Sequence, residues 1–196
     1  MLKMRIKTAT FHKSSSDIVE CPTLSLPEFA FIGRSNVGKS SLINMIANNK
    51  KLAKVSGKPG KTLLINHYLI NKKFYIIDLP GYGYAKISKV EKKKIDFLIS
   101  NFIEQRKIQT LFILIDLRHK LLEIDLNFIK YVNNLKLNFT IIFTKADKLS
   151  INSQKKIKKY NDYLKREIKE DIELIISSSK SKKGEKEILK SIFTEI

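Results

Sequence analysis

The sequence contains little cysteine, no long apolar run and comparatively few acidic residues. Its single cysteine, Cys21, excludes an internal disulfide framework, and one cysteine with three scattered histidines does not supply the ligands of a structural zinc site. No apolar run approaches the ~18 residues that cross a bilayer. The first thirty residues also lack the uninterrupted hydrophobic stretch of a signal peptide. We therefore expect a cytoplasmic protein that works in a reducing compartment and has no membrane partner.

The shortage of acidic residues leaves a large positive charge. Against 19 Asp and Glu stand 38 Lys and Arg, which gives a net charge of +19. A field of that sign favours polyanionic partners such as nucleic acid or anionic membrane. However, 33 of the 38 basic residues are Lys, and the chain is also rich in Ile and Asn, as AT-rich codons would produce. Part of the excess charge therefore has an alternative explanation in base composition.

Length and apolar content predict one domain. The chain has 196 residues, of which 43% are apolar, enough for a sizeable core. No internal repeat or long flexible linker marks a boundary within it. We assign residues 1–22 to an N-terminal segment of the same domain and 23–196 to the domain proper, and we expect a monomer.

Short apolar runs alternate with segments of helical period along most of the chain. Six runs rich in Ile and Phe predict buried strands at 29–32, 63–70, 74–78, 111–116, 139–144 and 174–177. Helices are predicted over 41–47, over 88–105, from a cap at Asp125 onward, over 157–168 and over 188–196. This alternation predicts an α/β sandwich with a mixed, mostly parallel six-stranded sheet. The second and third strands are expected to form an antiparallel hairpin at one edge.

A glycine-containing loop follows the first predicted strand and precedes a predicted helix. Residues 33–40 read G-R-S-N-V-G-K-S, and this strand, loop and helix order is typical of a phosphate-binding loop. Its backbone N–H groups and the helix N-terminus attract phosphate, Lys39 can reach the β- and γ-phosphates, and Ser40 would ligate Mg²⁺. The predicted nucleotide contacts in this loop are Gly33, Arg34, Ser35, Asn36, Val37, Gly38, Lys39, Ser40 and Ser41.

The tetrapeptide T-K-A-D at 144–147 indicates which base is bound. The carboxylate of Asp147 can accept two hydrogen bonds from N1–H and N2–H₂ of guanine, whereas adenine would leave it partly unpaired. The stem of Lys145 would lie along the base and ribose. The serines at 177–179 could support guanine O6 through backbone N–H groups, or could form a plain polar turn. The predicted base contacts are Thr144, Lys145, Ala146, Asp147, Ser177, Ser178 and Ser179.

Two further segments are predicted to respond to the γ-phosphate. Asp78 would hold Mg²⁺ through water, the N–H of Gly81 would meet the γ-phosphate, and Thr62, in the loop at 56–62, would complete the metal shell. The predicted metal ligands are Ser40, Thr62 and Asp78. The predicted nucleotide contacts in these segments are Gly60, Lys61, Thr62, Leu63, Leu64, Asp78, Leu79, Pro80 and Gly81.

Taken in order, these motifs resemble the translation-factor (TRAFAC) class of P-loop GTPases, and most closely the EngB (YihA/YsxC) family. The matching residues are G-R-S-N-V-G-K-S-S-L-I-N at 33–44, P-G-K-T at 59–62, D-L-P-G-Y-G-Y-A at 78–85, D-L-R-H at 116–119 and T-K-A-D at 144–147. The resemblance implies a three-layer P-loop GTPase fold, GTP and GDP as ligands, and a role in assembling the large ribosomal subunit in a bacterial or organellar cytoplasm. An extra residue between 177 and 183 leaves open which serine pair contacts the base.

The expected hydrolytic machinery is incomplete. Many GTPases place a Gln after the D-x-x-G glycine to orient water, but this chain has Tyr82, and no mobile loop offers an arginine finger, so intrinsic turnover should be slow. We hypothesise that Asn36 binds K⁺ beside the phosphates; alternatively, Asn36 only hydrogen-bonds within its own loop. The residues predicted to act in hydrolysis are Lys39, Asn36, Thr62 and Gly81.

The surface offers two candidate contacts for RNA or ribosomal protein. Tyr82 and Tyr84 could stack on RNA bases or pack against the helix that follows, and the lysines at 89 and 92–94 lie beside the same segment. The lysines at 155, 156, 158 and 159 are interpreted as a solvated face. Two functions remain: a GTPase that times a step of ribosome assembly, and a GTP-gated RNA- or protein-binding module, for example in cell division and septation, whose hydrolysis is incidental. A P-loop kinase is disfavoured by Asp147.

Overall fold

The computed structural model describes residues 5–23, 25–54, 64–83, 87–148 and 153–196. They form a seven-stranded sheet in the order β1-β3-β4-β2-β5-β6-β7. The strands are β1 Ala9–Ser15, β2 Glu28–Gly33, β3 Ile65–Ile70, β4 Phe74–Asp78, β5 Ile108–Asp116, β6 Phe139–Thr144 and β7 Glu173–Ile176. The helices are α1 Lys39–Ile46, α2 Lys89–Gln105, α3 Glu123–Asn134, α4 Ser153–Ile168 and α5 Glu185–Thr194, with short 3₁₀ turns at Ile18–Glu20 and Ala146–Lys148.

The sheet is mixed and is covered on both faces. Strands β4, β2, β5, β6 and β7 are mutually parallel, whereas β3 runs antiparallel to β4 and to β1. Helices α2, α3 and α4 bury apolar stripes against one face, and α1 and α5 cover the other. Because the parallel strands end at one edge, the loops that follow β2, β4, β5, β6 and β7 meet there. Among the described residues, no helix has the length and apolar character needed to span a membrane.

The three-layer arrangement confirms the predicted fold class, but the strand count and the hairpin position were wrong. A seventh strand, β1, lies within the segment 1–22 and pairs with β3, so the hairpin of β3 and β4 is not at the edge of the sheet. Only one of the seven residues of β1 is fully buried. An edge strand can be polar because one side faces water, and the search for apolar runs therefore missed it.

Helix caps explain where two helices begin. Ser88 accepts a hydrogen bond from the N–H of Glu91 at 3.1 Å, and the Glu91 carboxylate accepts one from the N–H of Ser88 at 3.0 Å, as the spacing predicts. The predicted cap at Asp125 was wrong, since α3 begins at Glu123. Asp125 lies inside the first turn of α3, where its carboxylate accepts from the N–H of Leu122 at 3.2 Å. The carboxylate thus satisfies a helix-start N–H from within the helix.

Candidate nucleotide-binding site

The predicted phosphate loop connects β2 to α1 at the edge where the parallel strands end. Gly38 caps α1 with a left-handed backbone, φ +103°, which a residue with a side chain rarely adopts. Gly33 is required for a different reason. A Cβ added there would lie 2.7 Å from the carbonyl oxygen of Leu114 on β5. Gly38 thus allows the loop to turn into α1, and Gly33 allows β2 and β5 to pack closely.

Lys39 and Asp78 meet where this loop joins α1. Lys39 is the first residue of α1, Asp78 ends β4, and the two side chains form an ion pair. Their exposed fractions are only 11% and 4%. The partly buried Ser40 follows Lys39 along α1. A carboxylate and a hydroxyl are the hard oxygen ligands that Mg²⁺ takes together with phosphate oxygens, so the residues present fit a Mg²⁺-phosphate group.

The chain beyond Asp78 remains buried through the second motif. Leu79, Pro80 and Gly81 are all buried, and the N–H of Leu79 donates to the carbonyl of Phe31 at 3.0 Å. This bond extends the pairing of β4 with β2 past the last strand residue. The motif at 78–81 is therefore held directly beside the phosphate loop.

On the other side of the phosphate loop lies an open pocket of about 450 Å³. Its lining residues come from the loop, from α1 and the turn after it, from the end of β6 and from the segments after β6 and β7. They are Gly38, Ser41, Asn44, Met45, Lys50, Thr144, Lys145, Asp147, Ser179 and Lys180. The pocket contains the exposed carboxylate of Asp147. It therefore brings together the residues predicted for the phosphates and those predicted for the base.

The hydroxyl of Ser178 orients the Asp147 carboxylate. It donates to Asp147 Oδ1 at 2.7 Å, and this hydrogen bond is the main reason that the pKa of Asp147 is lowered. The neighbouring backbone is also fixed, because the N–H of Ala146 donates to the carbonyl of Ser177 at 3.1 Å. Asp147 is thus ionised at neutral pH and presents acceptors toward the pocket.

Of the serines at 177–179, two already use their backbone N–H groups within the protein. The N–H of Ser177 donates to Phe143 at 2.7 Å, and that of Ser178 donates to Lys183 at 3.1 Å. The Ser177 side chain is completely buried, and its hydroxyl has no hydrogen-bond partner among the described residues. Of the three, Ser179 lines the pocket, and its N–H makes no hydrogen bond within the described part of the chain.

Lys145 links the base side to the phosphate loop. Its Nζ donates to the carbonyl of Asn36 at 2.6 Å and lies 2.9 Å from Asp116 Oδ2. Its Cε lies 3.6 Å from the position that a Cβ on Gly38 would take. The stem therefore crosses the loop at a glycine, where no side chain blocks it.

Asp116, which the sequence analysis did not assign to the site, holds this lysine. It ends β5, next to Thr144 at the end of β6. Burial acts to raise the pKa of Asp116, but hydrogen bonds from Arg118 and Lys145 outweigh it and lower the pKa to about 2. The sequence feature that could have identified Asp116 is the motif D-L-R-H at 116–119. It supported the family resemblance, but no role was predicted for its Asp.

Thr144 holds the phosphate loop in place through a hydrogen bond. Its hydroxyl donates to the carbonyl of Val37 at 2.7 Å, and both side chains are buried. This contact turns the Thr144 hydroxyl toward the protein interior.

Asn36, in the phosphate loop, is exposed and has a left-handed backbone with φ 62°. Arg34 and Ser35, at the start of the loop, are partly exposed, and the Arg34 side chain lies beside Gly83.

Tyr82, at the position where many GTPases have Gln, is buried rather than available to RNA. Its ring stacks on Phe128 of α3, with centroids 4.7 Å apart, and its hydroxyl donates to Asp125 at 3.0 Å. Its N–H donates to the carbonyl of Gly33 at 3.3 Å. Stacking of this ring on RNA was thus a wrong alternative, and the ring packs on α3, not on the helix that follows it. Burial raises the pKa of Tyr82.

Several predicted residues lie outside the described part of the chain. They are Gly60, Lys61, Thr62, Leu63 and Tyr84. Leu64 is described and is exposed. The predicted contacts of these residues stay predictions.

Comparison with known proteins agrees with this geometry. Residues 28–145 match a family described as "50S ribosome-binding GTPase". The chain is 49% identical over 188 residues to a probable GTP-binding protein EngB of Christiangramia forsetii, with 95% of both chains covered. It is 56% identical over 148 residues to the corresponding protein of Flavobacterium johnsoniae, which covers 75% of this chain and 70% of the relative.

Solved structures share the fold. A crystal structure of a probable GTP-binding protein engB superimposes with a TM-score of 0.67 at 23% identity, covering 86% of this chain and 98% of that one. A structure of Era in complex with MgGDPNP and nucleotides 1506-1542 of 16S ribosomal RNA gives 0.69 at 22% identity, covering 87% of this chain and 56% of Era. At these identities the likeness concerns the fold alone.

Proposed function

The chain belongs to the EngB family of ribosome-binding GTPases, and from this premise we propose that it binds GTP with Mg²⁺ and hydrolyses it to GDP and phosphate, acting as a switch in assembly of the large ribosomal subunit. The observation that supports this most strongly is one pocket lined both by Gly38 and Ser41, where the phosphate loop joins α1, and by Asp147, which Ser178 holds. Guanine offers two donors to that carboxylate, and adenine does not.

On the phosphate side, Lys39 and Asp78 exchange partners when nucleotide binds. Lys39 turns from the Asp78 carboxylate to the β- and γ-phosphate oxygens, and Asp78 is released toward the metal shell. Ser40 and Thr62, with Asp78 through water, would hold the Mg²⁺, which would neutralise negative charge on the phosphates. The N–H groups of the loop and of Gly81 orient the triphosphate.

Intrinsic hydrolysis is slow, because Tyr82 cannot replace a catalytic Gln. Its hydroxyl is committed to Asp125 and its ring to Phe128. We propose that a K⁺ ion beside Asn36 supplies the missing charge. Turnover measured in KCl and in NaCl at equal ionic strength tests this. Faster turnover in KCl that is lost in Asn36→Ala supports the K⁺ site, and equal rates in both salts contradict it.

The partner is the large ribosomal subunit or its precursor, met in the cytoplasm and contacted through rRNA, ribosomal protein or both. The experiment is co-sedimentation of the full chain with 50S subunits in Mg²⁺ with a non-hydrolysable GTP analogue or with GDP, together with steady-state hydrolysis. Analogue-dependent binding and stimulated turnover would support a timing GTPase. Nucleotide-dependent binding without stimulation would favour the GTP-gated binding module instead.

A further inference from the structure

One face of α2 is exposed and carries apolar side chains among lysines. The opposite face is buried against the sheet by Ile95, Leu98, Ile99, Phe102 and Ile103. Val90, Lys93, Lys94 and Phe97 project on the other side, at the i, i+3, i+4 and i+7 spacing of a single helix stripe. These four residues are called the α2 outer face.

The two apolar residues of the α2 outer face, Val90 and Phe97, are largely exposed to solvent. Val90 is 64% and Phe97 is 63% exposed, although α2 already buries five other apolar side chains. They lie two turns apart, about 10 Å along the helix axis, with the two lysines between them. Burying an apolar ring that is exposed to water is favourable, so the exposed ring of Phe97 favours contact with a partner.

The charge around this face is positive, because the four lysines at 89 and 92–94 outnumber the acidic Glu91, which attracts Lys94, and Asp96. Lys89, Lys92, Lys93 and Lys94 are all exposed, and none lies within 4 Å of an acidic group among the described residues. The acidic residue among them, Glu91, accepts from both the N–H and the hydroxyl of Ser88. Its carboxylate is therefore directed to the helix cap. The lysines remain available to an external anion.

We infer that the α2 outer face is an RNA-binding surface, with Lys93 and Lys94 on backbone phosphates and Phe97 stacked on a base. Aromatic side chains flanked by cations are the elements that bind exposed bases and their backbone. A protein partner fits less well, because lysine is depleted at protein–protein interfaces. The inference rests on the proposed function and names the surface through which the chain meets the large subunit.

The position of α2 in the chain connects this surface to the nucleotide. Its cap, Ser88, lies seven residues after Gly81, whose N–H is proposed to contact the γ-phosphate. The described part of this connection is tied to the phosphate loop through Tyr82 and Gly33. We therefore expect a change at Gly81 on hydrolysis to affect the start of the RNA-binding helix.

The test uses the full chain with Mg²⁺ and a non-hydrolysable GTP analogue, and protein-free rRNA extracted from 50S subunits as the probe. Filter binding is measured over a series of KCl concentrations. We expect Lys93→Gln with Lys94→Gln to weaken binding roughly tenfold and to reduce the slope of log affinity against log salt by about 1.5, because two phosphate contacts are lost. Phe97→Ala should weaken binding about fivefold or more and leave the slope unchanged.

The matched control is Lys158→Gln with Lys159→Gln, which removes the same charge from an exposed position on α4. All variants must retain wild-type affinity for a fluorescent GDP and the wild-type unfolding midpoint. An equal loss in the α4 pair would overturn the inference, since net charge would then suffice. So would normal rRNA binding by the α2 variants together with weakened 50S binding, which would indicate a protein partner.

The same variants are also sedimented with intact 50S subunits. If the wild-type chain binds rRNA through α2 but does not bind 50S subunits with either nucleotide, the proposed function fails and the RNA surface stands. If the wild-type chain binds 50S subunits and the α2 variants bind rRNA normally, the RNA surface alone fails.

Discussion

The two sides of the phosphate loop hold their charged groups in opposite ways. On the base side, Asp147 accepts from the neutral hydroxyl of Ser178, and Lys145 is held by the Asn36 carbonyl and by Asp116. On the phosphate side, Lys39 and Asp78 pair with each other. The three groups that hold these side chains, the Ser178 hydroxyl, the Asn36 carbonyl and the Asp116 carboxylate, are not themselves predicted to contact guanine. The partners on the phosphate side are both predicted to contact the ligand.

This difference predicts how each side responds to nucleotide. The base side is assembled in advance, so its contacts with guanine require no exchange of partners. In the proposed mode of binding, the phosphate side exchanges its buried ion pair for contacts with phosphate and metal. Removing a group on the base side should therefore change ligand choice with little effect on folding, whereas removing one charge on the phosphate side should affect folding as well.

The largest effect is expected from Asp147→Asn. An amide cannot accept from both guanine donors and would place its own donor against one of them, so GTP affinity should fall by a factor of about 10⁴. Xanthosine triphosphate, which presents a carbonyl at that position, should bind the variant better than GTP does. Competition against a fluorescent GDP measures both. Unchanged preference for GTP would show that Asp147 does not contact the base.

Lys39→Ala should abolish hydrolysis and also destabilise the protein without nucleotide. It leaves the Asp78 carboxylate buried and unpaired, which costs about 3 kcal/mol of unfolding free energy. Combining Lys39→Ala with Asp78→Asn should restore most of the stability and none of the activity. Urea unfolding of the two variants separates the effects. Equal destabilisation in both would mean that the ion pair has no special role on the phosphate side.

Ser178→Ala tests the base side through pH. Asp147 must be ionised to accept from guanine, and its pKa is lowered mainly by Ser178, so binding is present above that pKa and is lost as the pH falls through it. The variant should lose GTP affinity by about tenfold or less at pH 7.5. The acid limit of binding should move to higher pH. The ordinary pKa of Asp is 3.8, so dissociation constants must be measured from about pH 2.5 to 7.5 to reach both acid limits. An unchanged acid limit would contradict the role of Ser178.

Asp116→Asn should have the smallest effect, of about 1 kcal/mol in unfolding free energy at pH 7. The pKa of Asp116 in the fold is about 2, below its ordinary value of 3.8, so its contribution is complete above about pH 4 and disappears as the pH falls through 2. Denaturation of both proteins at pH 7 and pH 3 checks the sign. The difference should be smaller at pH 3, and a larger difference there would contradict this assignment.

Much of the fold could be predicted because buried strands are apolar on both faces. Strand β6 has the predicted bounds, and β2 and β5 extend theirs by one to three residues at an end. β1 could not be found in this way, since its sequence, A-T-F-H-K-S-S, is polar and it pairs on one side only. The rule that finds central strands is therefore weak at a solvent-facing edge.

In the candidate site, the motifs predicted which residues bind nucleotide but not how those residues are held. The contact of Lys145 with Asn36 joins residues 109 positions apart, and that of Ser178 with Asp147 joins residues 31 apart. No local spacing carries such information. The buried orientation of Tyr82 depends likewise on Phe128 and Asp125 of α3, which only the packed structure brings beside it.

The most direct test is competition for the wild-type protein in Mg²⁺ buffer, with bound fluorescent GDP displaced by GTP or by ATP. We predict displacement by GTP at one site per chain, and no displacement by ATP at a hundredfold higher concentration. Displacement by ATP as readily as by GTP, or a failure of fluorescent GDP to bind at all, would contradict the assignment of this pocket to guanine nucleotides.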